Sequence, residues 1–269
     1  MDTQFDVVVV GAGLAGLTAA ATAVRGGART LVLEAHRPGG RARTTEREGC
    51  TLNLGAHALY RGGPGARVLA DLGIVPSGSP PPLARYRGSR DGELHQLPTG
   101  PSSLLRTTLL GTRSKVRLGR LLSGLPRMDP AALAGTSVRG WLDGLDLRPD
   151  AESVVLALLR LGTYCPDVDS FGADAALAQL QSAASGGVLY LHGGWSQLTD
   201  ALAAASEVRP SSPVRAIEPA AGRFEVRTDD GPIVAGPVVP GWWRTGGRRC
   251  RGRSPGWVPV GPRGRGRRR

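Results

Sequence analysis

The sequence has 269 residues, 34 basic and 22 acidic, with a formal charge of +12 and a pI of about 11.1. This length allows one large or two modest domains with a sizeable core and excludes a disulfide-stapled miniprotein. Ten arginines and no acids lie in residues 241–269, which leaves 24 basic against 22 acidic residues in the first 240 and a charge of only +2 there. A near-neutral body gives no general indication of nucleic-acid or membrane-surface binding.

The cysteines and the N-terminus indicate a cytoplasmic protein without a metal site. Cys50, Cys165 and Cys250 are widely spaced and form no C-x-x-C or Cys/His cluster, so neither a disulfide framework nor a zinc site is expected. The N-terminus lacks the basic and long apolar regions of a signal peptide. The sequence also contains no run of about 18 apolar residues that would predict a transmembrane segment.

The chain opens with a predicted β-α-β unit. Residues 5–10 are a continuous, largely β-branched run, which is typical of a strand buried on both faces of a parallel sheet. Residues 14–25 are Ala-rich with helical spacing and end at Gly26, and residues 30–34 form a second apolar strand.

The middle of the chain is predicted to be mostly helical. A short helix at residues 66–72 is followed by a Pro/Ser/Gly run at 76–82, which is typical of a crossover between domains. Residues 83–87 and 93–97 are predicted to pair as a hairpin. Within residues 101–184 the clearest helices are 141–145, 151–161 and 173–184.

The chain then returns to alternating strands and helices. Residues 188–191 are predicted as a strand, 195–206 as a helix, and 213–218 with 223–228 as a strand pair before the turn at 229–231. From Gly241 onward neither helical nor strand periodicity is present. This composition predicts a disordered Arg/Gly tail, and the alternative is an out-of-frame translation that begins near residues 236–241.

Residues 11–16 fit the G-x-G-x-x-G pattern, which is weak by itself in a chain with 40 glycines. Its context strengthens it, because it joins the first predicted strand to the first helix, and an acid, Glu34, stands at the end of the next predicted strand. In this arrangement Gly11 allows the tight turn, Gly13 lets a pyrophosphate approach the backbone and Gly16 lets the helix pack on the strand. Glu34 would accept hydrogen bonds from the adenosine ribose.

A second glycine motif identifies the dinucleotide. Glu34 and Ala35 are followed by Gly39-Gly40-Arg41 and then Ala42-Arg43-Thr44, and here the sequence resembles the FAD-dependent flavin amine oxidase, protoporphyrinogen oxidase and phytoene desaturase superfamily. The resemblance implies FAD, with Arg41 as the cation that matches its diphosphate.

The resemblance continues through most of residues 5–235. Residues 54–57 are similar to the family's segment near the flavin ring, residues 191–195 to the stretch that returns from the substrate domain, and Val214 to the valine whose backbone meets the adenine. The resemblance therefore implies the following cofactor-binding residues: Gly11, Gly13, Leu14, Ala15, Gly16, Glu34, Ala35, Gly39, Gly40, Arg41, Gly55, Ala56, His57 and Val214.

Two departures from the family pattern stand out. The spacer at residues 36–38 is one residue shorter than usual. Residues 236–269 lack the family's C-terminal Gly-Asp motif, which closes over the flavin. The sequence therefore predicts a C-terminally truncated, incomplete flavoenzyme.

The predicted fold is α/β, with a Rossmann-type FAD-binding domain from residues 1–75 and 186–240, a largely helical inserted substrate domain at 76–185, and a tail at 241–269. The predicted function is an oxidoreductase that takes a hydride from a C–N or C–C bond of an amine or an apolar, polyene- or porphyrin-like substrate. The flavin would carry this chemistry. No catalytic residue is identified, although His57 and His192 are the titratable residues nearest to the flavin segments.

Two other functions remain open from the residues. One is an NAD(P)-dependent dehydrogenase, in which case the Arg41 loop would be accidental. The other is a non-catalytic remnant that binds polyanions through its arginine tail, although specific nucleic-acid recognition would call for basic residues and aromatics together on a folded face.

Overall fold

The computed structural model describes residues 4–82 and 85–241. The helices are α1 (Leu14–Arg25), α2 (Pro64–Asp71), α3 (Pro101–Arg106), α4 (Thr112–Gly124), α5 (Val138–Gly144), α6 (Pro149–Thr163), α7 (Ala173–Gly186) and α8 (Ser196–Ala203). The strands are β1 (Gln4–Phe5), β2 (Val7–Val10), β3 (Thr30–Leu33), β4 (Thr44–Arg47), β5 (Cys50–Asn53), β6 (Ala58–Tyr60), β7 (Gly78–Ser79), β8 (Arg87–Arg90), β9 (Glu93–Gln96), β10 (Val188–Leu191), β11 (Glu207–Arg209), β12 (Val214–Ala220), β13 (Arg223–Thr228), β14 (Gly231–Ala235) and β15 (Val238–Pro240).

A parallel four-stranded sheet in the order β11-β3-β2-β15 carries the opening β-α-β unit. Its two central strands are buried, and Val9 and Val32 pack against Leu17 of α1 and Leu198 of α8. Helix α1 has the bounds that the sequence predicts. Strands β11 and β15, from late in the chain, therefore complete a sheet that the N-terminal unit begins.

The predicted strand at residues 5–10 is divided at Asp6. The Asp6 carboxylate accepts a hydrogen bond from the backbone N–H of Arg29 (2.9 Å), and the chain bends there. As a result β1 leaves the parallel sheet and pairs with β14 in a second sheet, in the order β1-β14-β13-β12. A small core that includes Phe5, Leu33 and Val226 fills the space between the two sheets.

The middle of the chain has its own helical core. Leu118 of α4, Val138 and Trp141 of α5, Val155 of α6 and Ala176 of α7 are buried together there. The predicted hairpin is present, but the prediction for its first strand is wrong, because that strand begins at Arg87. The hairpin turns at residues 91–92, which both have positive φ, since Asp-Gly suits a tight two-residue turn. Residues 83–84 of the prediction lie outside the described residues.

A three-stranded antiparallel sheet, β6-β10-β7, lies between these two cores in sequence and in space. Leu59 and Leu189 are paired across it and pack on the core of the parallel sheet. Tyr60 and Tyr190 therefore point from its other face, since side chains alternate along a strand.

The prediction of an α/β, Rossmann-type fold with a largely helical insertion is confirmed by this topology and by the structural relatives described below. The chain remains part of the parallel sheet through β15 and up to Gly241, whose N–H donates to the carbonyl of Val10 (2.8 Å). The tail was predicted at 241–269; Gly241 belongs to the fold, and residues 242–269 lie outside the described residues. In the described part of the chain, no helix combines the length and apolar character needed to cross a membrane.

Candidate functional site

The turn at residues 11–16 packs closely on strand β2 on one side and leaves open space beside Gly13 on the other. Gly11 has φ +102, a conformation that favours glycine, and its N–H donates to the Leu33 carbonyl (2.7 Å). A Cβ on Gly16 would overlap the carbonyl oxygen of Gly11, so glycine there permits the helix to approach the strand. A Cβ on Gly13, by contrast, would meet no heavy atom within 4 Å.

Helix α1 begins at Leu14 with no side-chain cap on its first turn and no acidic residue there. The first-turn N–H groups of a helix have no acceptors within the helix and carry the positive end of its dipole. Leu14 is half-buried, and Ala15 is exposed beside it. The open space beside Gly13 therefore faces backbone donors that suit a phosphate.

Glu34 fastens the turn to the end of β3. One carboxylate oxygen accepts a hydrogen bond from the N–H of Ala12 (2.7 Å), and the other accepts one from the N–H of His36 (2.9 Å). A carboxylate has about four lone-pair positions, so acceptor capacity remains for a hydroxyl group. Ala35 is exposed directly after it.

The second glycine motif packs directly on the first. The N–H of Gly39 donates to the carbonyl of Ala12 (2.6 Å), and a Cβ on Gly40 would lie 3.3 Å from the Cα of Gly13. Gly39 has φ +104, so this close approach also depends on glycine. The two motifs form one surface, although most of α1 and the whole of β3 separate them in the sequence.

Arg41 stands at the edge of that surface. Its side chain is exposed, and no acidic residue of the described part of the chain pairs with it. A guanidinium without an acidic protein partner, next to helix N–H groups, is suited to bidentate binding of a phosphate.

Of the segment at residues 54–57, Gly55 contacts the same loop, whereas Ala56 and His57 form no hydrogen bond with the turn at 11–16 in the described part of the chain. A Cβ on Gly55 would lie 2.5 Å from the carbonyl oxygen of Arg41, so Gly55 packs on the Gly-Gly-Arg loop. Ala56 and His57 are exposed, and no hydrogen bond among the described residues joins either of them to the turn at 11–16.

The β4-β5 hairpin carries the returning segment to this loop. The side chain of Asn53 accepts from the N–H of Trp195 (3.0 Å), and the hydroxyl of Ser196 accepts from the N–H of Thr44 (3.0 Å). Trp195 is buried, and its indole N–H has no hydrogen-bond partner in the described residues. The hydrogen bonds to the backbone N–H groups of Trp195 and Thr44 fix the returning segment beside the Gly-Gly-Arg loop.

Val214 lies on the far side of β3. It packs on the core that also receives Val10, the residue before the turn, and the nearby N–H of Ser212 donates to the carbonyl of Glu34 (2.9 Å). Residues 212–214 and the end of β3 are therefore neighbours, which is the arrangement that an adenine-side role for Val214 requires.

The residues present fit a dinucleotide. The open position at Gly13, the uncapped N-terminus of α1, the exposed Arg41 and the acceptor Glu34 together offer donors to two phosphates and an acceptor to a ribose. A cavity of about 490 Å³ lies at the start of α4, away from these residues. A second one, of about 320 Å³, is lined by Leu33 and Ser212, which adjoin Glu34 and Val214, so it lies at the adenine side of the site.

Sequence reasoning missed a cluster that contains all four tyrosines of the chain, Tyr60, Tyr86, Tyr164 and Tyr190. The hydroxyls of Tyr86 and Tyr190 are 2.9 Å apart, and that of Tyr60 donates to the carbonyl of Gly162 (2.9 Å). The hydrogen bond with Tyr86, together with partial burial, raises the pKa of Tyr190 to about 12. The alternation along β6 and β10 was the one sequence signal that could have indicated this cluster.

Tyr164 joins this group from the end of α6, where it has φ +56. Partial burial and then the neighbouring Tyr60 and Tyr190 raise its pKa. The phenols of Tyr164 and Tyr190 therefore stay protonated at neutral pH. The cluster offers aromatic surface and hydroxyl groups on the face of the β6-β10-β7 sheet that turns away from the core.

Comparison with known proteins supplies the family. Residues 14–239 match the model of the flavin containing amine oxidoreductases. A curated thioredoxin reductase from Treponema pallidum (strain Nichols) is 55% identical over 42 residues, which is 16% of this chain and 14% of that protein.

Solved structures share the fold. A putrescine oxidase variant superposes with a TM-score of 0.65 and 21% identity, over 88% of this chain and 58% of the other. A protein assigned as a protoporphyrinogen oxidase from Exiguobacterium sp. 255-15 gives a TM-score of 0.56 and 24% identity, over 89% and 59%. The chain thus spans somewhat under three fifths of the length of these structures. The predicted superfamily is confirmed, and with it FAD as the cofactor.

Proposed function

Because this chain belongs to the family of flavin containing amine oxidoreductases, we propose that it is the FAD-binding and substrate-facing part of an FAD-dependent oxidoreductase that removes a hydride from a C–N or C–C bond. The observation that carries the proposal is the single surface formed by the turn at 11–16 and the Gly39-Gly40-Arg41 loop. An NAD(P)-dependent dehydrogenase would leave that loop and its exposed Arg41 without a role.

Each of these residues has a task in holding FAD. The backbone N–H groups at the start of α1 and the Arg41 guanidinium bind the diphosphate, and Glu34 accepts from the ribose. Val214 and its neighbours meet the adenine, and Gly55 keeps residues 54–57 against the loop near the ring. When bound, the flavin supplies the hydride acceptor.

The protein's part in the reaction is to orient the substrate. We assign this task to the tyrosine cluster on the β6-β10-β7 sheet, since the residues of the helical part meet the FAD-binding part there. Protonated phenols donate hydrogen bonds, and their rings attract apolar or cationic groups. A small organic substrate with an amine or an extended apolar skeleton matches those properties.

Flavin content tests the cofactor assignment. Gly13→Ala should abolish FAD binding, because its Cβ enters the space that the pyrophosphate needs and meets no protein atom there. Gly65→Ala is the matched control, since its Cβ also meets nothing within 4 Å but lies in α2. Stoichiometric flavin in the Gly13 variant would refute the site.

Oxygen consumption tests the reaction. The flavin-loaded chain is assayed with a panel of amines, including putrescine, and with polyenes and porphyrinogens, and the Gly13→Ala protein serves as the blank. For any substrate found, Tyr190→Phe should raise KM with little change in kcat, since it removes a hydroxyl that contacts the substrate. An unchanged KM would exclude the tyrosine cluster from substrate binding.

A further inference from the structure

The charges of the helical part are segregated, although they nearly cancel. Residues 94–128 contain six basic residues and no acid, and residues 129–174 contain eight acids and three basic residues. The near-neutral total of the first 240 residues therefore hides a strongly basic segment beside an acidic one.

One arginine of the acidic segment is paired with three acids of the same segment. Arg139 contacts Glu152 at 2.5 Å, Asp169 at 3.8 Å and Asp143 at 3.9 Å. In the basic segment, Arg117 is paired with Asp146 at 3.7 Å, but most of the arginines are not paired with an acid in the described part of the chain. The segment's four arginines at seven-residue spacing, Arg106, Arg113, Arg120 and Arg127, are exposed, and none has an acidic partner within residues 4–82 and 85–241.

Helix α4 directs this charge outward. Ser114 and Leu118 are buried, and Leu121 and Leu122 pack on the helical core, so the opposite face carries Arg113, Val116 and Arg120. Arg117, at the side of the helix, is held by Asp146 at 3.7 Å.

Apolar side chains are exposed among these arginines. Leu105 is 73% exposed and Val116 is 51% exposed. They belong to one surface, since Lys115 of α4 donates to the carbonyl of Leu105 (2.8 Å) and α3 thereby lies against α4. We call this surface the α3-α4 basic face, made of Leu105, Arg106, Arg113, Val116 and Arg120.

We propose that the α3-α4 basic face docks on an anionic lipid bilayer, as a peripheral contact. Arginines and exposed aliphatic side chains together suit phosphate headgroups with the acyl region below them. Nucleic acid fits less well, because binding of single strands uses aromatic stacking and residues 94–128 contain no Phe, Trp or Tyr. The basic residues of 242–269 carry the same sign and would be repelled by this face.

Vesicle binding of the full chain tests this. Phosphatidylcholine vesicles with and without phosphatidylglycerol are sedimented with the protein. Arg113→Gln/Arg120→Gln should weaken binding to the phosphatidylglycerol vesicles about 25-fold, at roughly fivefold per arginine near an anionic surface. Binding should also fall as salt rises.

The matched control is Arg25→Gln/Arg47→Gln, which removes two exposed charges from α1 and β4. It should change binding by less than about twofold. Equal losses from both pairs, or no loss from either, would assign the binding to residues 242–269 and overturn the proposal. Melting curves of both variants verify that the fold is intact.

The aliphatic side chains separate a bilayer from other polyanions. Leu105→Ser/Val116→Ser keeps every charge and should weaken vesicle binding several-fold, while binding of a DNA duplex stays the same. If vesicle binding is unchanged, or if the duplex loses affinity in parallel, the face is not a lipid-binding surface. Flavin content is unaffected by all of these variants, so the proposal stands or falls independently of the proposed function.

Discussion

Helices α1 and α4 start in the same way but present different chemistry. Each begins after a glycine in extended conformation, Gly13 (φ −76, ψ 174) and Gly111 (φ −67, ψ 162), and neither glycine caps the helix with a side chain. Open space lies over the start of α1, whereas the Asp150 carboxylate accepts from the N–H of Gly111 (3.0 Å) and the hydroxyl of Ser114 (2.6 Å) at the start of α4.

The difference teaches what makes a helix N-terminus a binding site. Both ends carry the same unsatisfied N–H groups and the same dipole. In α4 a carboxylate of the protein already accepts from the N–H of Gly111 and occupies the space over the start of the helix, although the 490 Å³ cavity lies beside it. In α1 the first motif is backed by the glycine loop at 39–40, and a Cβ on Gly13 would meet no heavy atom within 4 Å, so the space over the start of the helix is open. Cavity size is therefore a poor guide to the site in this molecule.

The sharpest test of this comparison replaces a glycine inside each helix. Gly16→Ala in α1 should lower the free energy of unfolding by about 3 kcal/mol, because its Cβ overlaps the backbone oxygen of Gly11 and the backbone cannot yield easily. Urea unfolding measures it.

Gly119→Ala in α4 is the control for that substitution. Its Cβ would lie 3.3 Å from a terminal methyl of Leu104, a flexible side chain, and alanine favours the helix. We expect a change within about 1 kcal/mol of zero. If the two variants were destabilised equally, α1 would pack against its turn no more closely than α4 packs against α3.

The second prediction concerns the acid that holds the turn of α1. Glu34→Ala removes the acceptor of the Ala12 and His36 N–H groups and, in the proposed complex, of the ribose. FAD binding should weaken by about 1.5–3 kcal/mol, as for hydrogen bonds to a charged acceptor, in titrations that follow flavin fluorescence.

Glu46→Ala is the matched control, since Glu46 is an exposed carboxylate on β4. It should leave FAD affinity unchanged. If the two variants bind FAD equally well, Glu34 has a structural task alone and the ribose assignment is wrong.

The third and smallest effect belongs to the carboxylate over α4. Asp150→Ala should lower the free energy of unfolding by about 1 kcal/mol, as for loss of a helix N-terminal cap, and leave flavin content unchanged. A loss of flavin would contradict the distinction between the two helix starts.

The pH dependence of that effect has a defined sign. Burial acts to raise the pKa of Asp150, but hydrogen bonds from Ser114, Gly111 and Ala151 outweigh it and hold the pKa below its ordinary value. A depressed pKa contributes stability above the unfolded-state pKa, which is lost as pH falls through the folded-state value. The stability curves of the wild type and Asp150→Ala should therefore differ at neutral pH and converge below about pH 4.

The cofactor part was the more predictable region. The first helix, both glycine motifs and the acid between them could be located in the sequence, since local spacing fixes a β-α-β turn. The division at Asp6 was missed, because it depends on a bond to Arg29 far along the chain. Strand β15 was missed as well, because its short run has no pattern of its own and is ordered by pairing with β2.

For the middle of the chain the sequence predicted that most residues are helical, but not the bounds of each helix. Its helices have recognisable periodicity, but α3 and α4 were not separated, and the first strand of the hairpin was placed too early. The four tyrosines are distant from one another in the sequence, and they meet only because β6, β10 and the end of α6 pack together.

The sequence by itself determined that this chain binds a dinucleotide in a Rossmann-type unit, because glycine spacing and an acid at the end of a strand are local properties of the chain. Tertiary structure decided which helix start stays available, since the Gly111 N–H group is occupied by Asp150, a residue from a different helix. It also decided which arginines of the described chain face outward without an acidic partner, because a net charge sums residues without regard to the face on which packing places them.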